Sequence, residues 1–185
     1  MRRSDLEHLI RAAGRIAGER ELVIIGSQSV LGQFPDAPVA LLMSMEADLY
    51  PLAHPELADR VDGAIGEGSA FHQAHGYYAQ GVGPGTATLP RGWQRRLVRV
   101  DNPNTNGYAG LCLEVHDLAL SKYVAGREKD REFTRELARH GLIDGMTLLK
   151  RLAVTKLDPA VAKLVKARIA RDFPSKTRRR GQVLH

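Results

Sequence analysis

At 185 residues with 43% hydrophobic content, the chain is long enough to bury one sizeable core and is ordinary for a globular protein. Its single cysteine, Cys112, excludes an intramolecular disulfide framework and a thiolate metal cluster, and 5% aromatic residues argue against the base-stacking platforms of single-strand binders. A formal charge of +6 points to polyanionic partners. No apolar run of membrane length and no signal-peptide pattern are present, so a cytoplasmic protein without a membrane partner is expected.

Taken in order, residues 4–17 are predicted as a helix with Leu6, Leu9, Ile10, Ala13 and Ile16 as its apolar stripe, Ser4 as its cap and Glu7 completing a capping box. Gly18 ends it. Residues 21–25 form a short β-branched apolar run that suits a buried strand. Gly26-Ser27 then turns sharply into a short helix over 27–31. A second strand is predicted over 43–50 and stopped by Pro51, followed by helices over 56–65 and 69–75 and a strand over 77–82. After the Gly/Pro/Thr loop at 83–86, Trp93 anchors the approach to a strand over 97–100. The turn cluster 101–107 leads to a last strand over 111–115.

From His116 onward the pattern is helical, over 117–125, 129–140, 144–153 and 159–171. The last of these opens on Asp158-Pro159 and carries Val161, Leu164, Val165 and Ile169 on its core face. The predicted organisation is a sheet core over 1–115, a helical part over 116–174 packed on it, and a basic tail over 175–185. Lys163, Lys166, Arg168, Arg171, Lys176 and Arg178 to Arg180 concentrate positive charge at this end, the usual footprint of contact with phosphates.

Two features carry chemistry. Side chains alternate along a strand, so Glu46 and Asp48 project from one face, where two acids repel unless a cation sits between them. The turn after Gly26, at a helix start, offers backbone N–H groups to a phosphate. Together these suggest a site for a metal and a nucleotide.

This arrangement resembles the nucleotidyltransferase superfamily, the polymerase-β-like fold, whose signature is a Gly-Ser or Gly-Gly turn after the first strand and two acids one residue apart on the next. Gly26-Ser27 and Glu46-Ala47-Asp48 fill those places. The gap between them is longer than usual, with Gly32, Pro35 and Pro38 marking an inserted loop, and the first acid is Glu where Asp is commoner. The resemblance implies an α+β fold: a small mixed sheet with flanking helices and a mostly helical C-terminal half.

The stretch from His116 to Phe133 looks like the segment after the sheet in AbiEii-type toxin nucleotidyltransferases. There a helix opens on Asp-Leu, carries an inward lysine and is followed by Arg-x-x-Asp. Lys122, Arg127 and Asp130 match. The resemblance extends to the MenT toxins, which add nucleotides to the 3′ end of transfer RNA and are neutralised by a partner encoded beside them. Ser44 falls where that group often carries a hydroxyl, for nucleotide contact or for control by phosphorylation.

The resemblance implies roles. Glu46 and Asp48 hold Mg²⁺ or Mn²⁺, Gly26 and Ser27 grip the phosphates of an NTP, and Lys122 neutralises the triphosphate. Arg127 either forks onto phosphate or orients Asp130. Asp130, by family resemblance, and Glu114, by its place before the helix, are the candidates for a third carboxylate. The acceptor is RNA, with tRNA first, and a cognate antitoxin is a possible partner. Its rivals are AMP transfer onto a protein and a non-catalytic nucleotide- or nucleic-acid-binding protein of the same fold. The seven histidines lack ligand spacing on a helix, and Cys112 reads as a small buried side chain.

Overall fold

The computed structural model describes residues 1–174; the tail over 175–185, with Lys176 and Arg178 to Arg180, lies outside the described residues. The fold is α+β and mostly helical. Five strands, β1 (Glu21–Ile24), β2 (Glu46–Pro51), β3 (Tyr78–Gly81), β4 (Val98–Val100) and β5 (Ala109–Cys112), form one mixed sheet of order β3-β2-β1-β5-β4. The central β1 runs antiparallel to β2 and parallel to β5, which is why its residues Leu22, Val23 and Ile24 are apolar on both faces and fully buried. β3 lies parallel to β2, and β4 antiparallel to β5.

Among the described residues eight α-helices surround it: α1 (Arg3–Ala17), α2 (Val30–Gln33), α3 (Ala58–Ile65), α4 (Ala70–His75), α5 (Val115–Ala125), α6 (Glu128–Arg139), α7 (Gly145–Ala153) and α8 (Pro159–Asp172). α1 lies across β1, β2 and β5 and buries Leu6, Leu9, Ile10 and Ala13 against them. α6, α7 and α8 pack on α5. Asp117, in the first turn of α5, is buried and takes two hydrogen bonds from Arg96 (2.7 and 3.1 Å), with Arg151 of α7 3.2 Å away. That clamp joins the turn before β4 to two helices.

Several expectations shift at element ends. The cap of α1 lies two residues earlier, at Arg2, because Asp5 reaches back to accept from the Arg2 N–H at 2.7 Å. Ser4 is therefore inside the helix. Glu7 does not cap; it is buried and accepts from Arg3, Asn102 and Asn104 at 2.7–2.9 Å, tying α1 to the 101–107 turn. Pro51 ends β2 from within. Ladder bonds at Ile25 N to Asp48 O and Leu52 N to Glu21 O leave position 51 at a non-bonded pair opposite Leu22, so its missing N–H costs β1 nothing.

β2 opens at Glu46, since the Ser44 hydroxyl accepts from the Glu46 N–H (3.1 Å) and bends the chain before the ladder begins. The segment after Gly26 is a 3₁₀ turn over Ser27–Ser29 that passes into α2. β5 ends at Cys112, and Glu114 is not on a strand but is the N-cap of α5. On α8, Val165 and Ile169 are buried while Leu164 is 49% exposed, so the core face is narrower than expected.

Candidate active site

The site is built first by the edge of the sheet. In β2, Ala47 and Leu49 point into the core, so Glu46 and Asp48 emerge on the opposite face, as alternation requires. β3 extends that face: Tyr78 is the register partner of Glu46, and Gln80 that of Asp48. The Tyr78 hydroxyl donates to Glu46 Oε2 at 3.1 Å, steadying the longer of the two acids. Burial and Glu46 push that hydroxyl up to about 12, so it remains a donor.

On the other side of Asp48 stands Gly26. Its backbone is extended (φ −79°), so glycine is not needed for conformation. It is needed for space, because a β-carbon at 26 would overlap Asp48 Oδ2. The acid thereby rests directly against the turn that begins at Ser27. Gln28, fully buried behind that turn, holds its amide nitrogen 3.5 Å from both the Ser27 hydroxyl and the Leu41 carbonyl.

Electrostatics set Asp48 apart from an ordinary surface carboxylate. Burial and then the neighbouring Glu46 raise the Asp48 carboxyl above its usual range, outweighing the opposing pull of Lys122, Lys129 and Arg127. No ion pair satisfies either acid among the described residues.

The facing wall comes from α5 and α6. Lys122 projects from the last turn of α5 with its side chain 15% exposed and its ammonium 3.4 Å from Asp130. α5 stops at Gly126 in the left-handed region (φ 63°), and Arg168 of α8 donates to the freed Tyr123 carbonyl at 2.6 Å. A side chain at 126 would overlap that guanidinium. Arg127 then caps α6. Its Nε and Nη2 fork onto Asp130 at 2.7 and 3.2 Å, and its N–H bonds the same carboxylate. Burial alone would raise Asp130, but the Arg127 hydrogen bonds and the Lys122 and Arg127 charges prevail and hold it below the usual range.

Between the walls lies a cleft of about 1240 Å³. Gly26, Ser27, Ser44, Glu46, Asp48, Lys122, Arg127 and Asp130 all line it, so every residue singled out as catalytic, nucleotide-binding or metal-binding is gathered in one place. Glu114 does not join them. It caps α5 and pairs with His116 at 2.6 Å, and His116 bridges on to Asp144. Cys112 is fully buried, and burial pushes its thiol up to about 12, which removes it as a nucleophile. Tyr78, Gln80, His72, Lys129 and Arg135 also line the cleft and were not singled out from sequence. The alternation of β3 hinted at Tyr78 and Gln80, but only strand pairing shows which acid each one faces.

The donor set suits a hard divalent cation. Among the described residues no group of three or more His, Cys, Asp or Glu side chains forms a metal cage. Mg²⁺ rarely needs one, since it keeps water and binds through one or two carboxylates plus substrate phosphates. Glu46 and Asp48, the latter raised by burial and by its neighbour, are the pair that would hold such an ion. Asp130, already held by two cations, does not offer a free third carboxylate.

A family model described as a nucleotidyltransferase of unknown function (DUF6036) matches residues 4–177. No curated protein and no solved structure matches the chain significantly. No helix among the described residues is long and apolar enough to cross a membrane.

Proposed function

The chain belongs to this nucleotidyltransferase family, and we propose that it transfers a nucleoside monophosphate from an NTP to RNA, with tRNA the first acceptor to test, in a Mg²⁺- or Mn²⁺-dependent reaction. The observation that carries this reading is the convergence of the Gly26-Ser27 turn, the Glu46/Asp48 pair and the Lys122/Arg127 cations on one cleft.

In the proposed reaction the acceptor hydroxyl attacks the α-phosphorus. The new P–O bond forms as the bond to the β-phosphate oxygen breaks, and pyrophosphate leaves. Glu46 and Asp48 would hold a divalent cation, which when bound would supply charge neutralisation at the phosphates. Ser27 and the N–H groups of its turn grip the β- and γ-phosphates. Lys122 offsets the charge that builds on the leaving group, and Arg127, whose Nε/Nη2 edge is held by Asp130, offers its Nη1 to a phosphate oxygen. The hydroxyl proton passes to a cleft carboxylate. Asp130 acts at one remove, fixing Lys122 and Arg127 where the phosphates arrive. Ser44, at the foot of β2, contacts the nucleotide. The AbiEii/MenT-like resemblance extends the proposal to a toxin with a cognate antitoxin.

The test is to incubate the protein with Mg²⁺ and each labelled NTP, with total tRNA in one arm and cell protein in the other. Label on tRNA supports the proposal. Label on protein alone replaces the acceptor, and no label in either arm makes this a non-catalytic relative. For the toxin role, expression of the wild type arrests growth and Asp48→Ala does not.

A further inference from the structure

The face expected from sequence to dock a polyanion, α8, is partly spent on internal work. Arg168 turns inward to the Tyr123 carbonyl, whereas Arg171, although 3.3 Å from Asp172, stays 48% exposed and lines a groove. The described residues offer a different surface. On α6, Arg127, Arg131 and Arg135 recur every four residues, which aligns them in one stripe with steps of about 6 Å along the axis. Arg127 is fastened at the cleft by buried Asp130.

Arg131 and Arg135 are exposed and face a polar groove of about 310 Å³, with Arg171 opposite and Glu128 and Glu132 beside them. Glu132 and Arg135 line both this groove and the cleft, so the two adjoin along these side chains. The ion pairs that α6 makes among the described residues are Lys122 and Arg127 with Asp130, and Arg139 and His140 with Glu136. Arg131 and Arg135 have none, although Glu128 and Glu132 lie within a helical turn of them.

We infer that the groove between α6 and α8 is the track for the acceptor strand: Arg131, Arg135 and Arg171 hold successive phosphates of RNA and lead its terminal hydroxyl into the cleft. This rests on the proposal that RNA is the acceptor. The spacing of the stripe and its opening onto the Glu46/Asp48 cleft favour a phosphodiester backbone over a protein.

The experiment compares wild type with Arg131→Gln/Arg171→Gln, which line the groove but not the cleft, and, as a control outside both, Arg15→Gln/Arg20→Gln. Binding of fluorescent total tRNA is read by anisotropy across a salt series, and binding of MnATP is measured separately. The groove variant is expected to bind tRNA at least tenfold more weakly, with the slope of log affinity against log salt shallower by roughly 1.4. Its MnATP affinity and melting temperature stay at wild-type values, and the control variant matches wild type throughout. Unchanged tRNA affinity and slope in the groove variant, with wild-type transfer onto tRNA intact, overturns the groove. Wild type that binds no tRNA and labels only protein overturns the RNA reading itself, a separate outcome.

Discussion

Asp48 on the sheet and Asp130 on the helical wall face the same cleft and behave oppositely. Asp130 is 1% exposed and grasped by two cations, and its carboxyl is held low. Asp48 is half-buried beside another acid with no cation in contact, and its carboxyl is driven up. The first carboxylate has all the partners it needs. The second has a site shaped around a charge that the chain itself does not provide. Satisfied acids hold structure together, and unsatisfied ones await a ligand.

Four substitutions test that contrast, from the largest effect to the smallest. Asp48→Asn is expected to lower transfer by at least about 10³-fold while leaving circular dichroism unchanged. Because the Asp48 pKa is raised in the folded state, its ionised form costs stability, and that cost appears as pH rises through the folded pKa. The variant should therefore melt at or above the wild-type temperature at pH 7, and Mn²⁺ should stabilise wild type alone. A clear loss of stability in Asp48→Asn would erase the distinction between the two acids.

Asp130→Asn should do the reverse first and most: a loss of about 3 kcal/mol in urea unfolding, at the low end for a broken buried pair because Arg127 is 61% exposed. Asp130 is lowered, so the stability it confers is complete above its unfolded pKa of about 3.9 and is lost as pH falls through the lower folded value. The gap between wild type and variant should close in acid.

Tyr78→Phe, removing the strut from Glu46, should weaken Mn²⁺ binding about tenfold by calorimetric titration. The effect should vanish when Glu46 is already alanine; if it persists there, Tyr78 does not act through Glu46. Glu114→Ala should cost about 1 kcal/mol as a lost helix cap and leave transfer within about twofold. A large loss of transfer would return Glu114 to the site.

What the sequence revealed followed the range of the interactions involved. Alternation and propensity are local, so the strand ending at Gly26, the shared face of Glu46 and Asp48, and all four C-terminal helices were legible. The departures arise where distant residues meet. Asp5 and Ser4 compete for the start of α1 within one turn, and the outcome leaves Glu7 to the asparagines about 95 positions on. Tyr78 becomes relevant only because β3 pairs with β2 in one register. Arg168 reads as surface charge until α8 packs beside the end of α5. Pro51 looked like a terminator because proline lacks a donor, but the ladder asks for none at that position.

The contact between Gly26 and Asp48 has a consequence for heredity and for engineering. The oxygen of one fills the room that any larger neighbour at the other would need, so the two motifs, 22 positions apart, are a single steric unit. Position 26 cannot grow while the acid at 48 keeps its place. A chimaera that borrows the first strand and its turn from a relative with a bulkier residue there must borrow the second strand too, or surrender the acid.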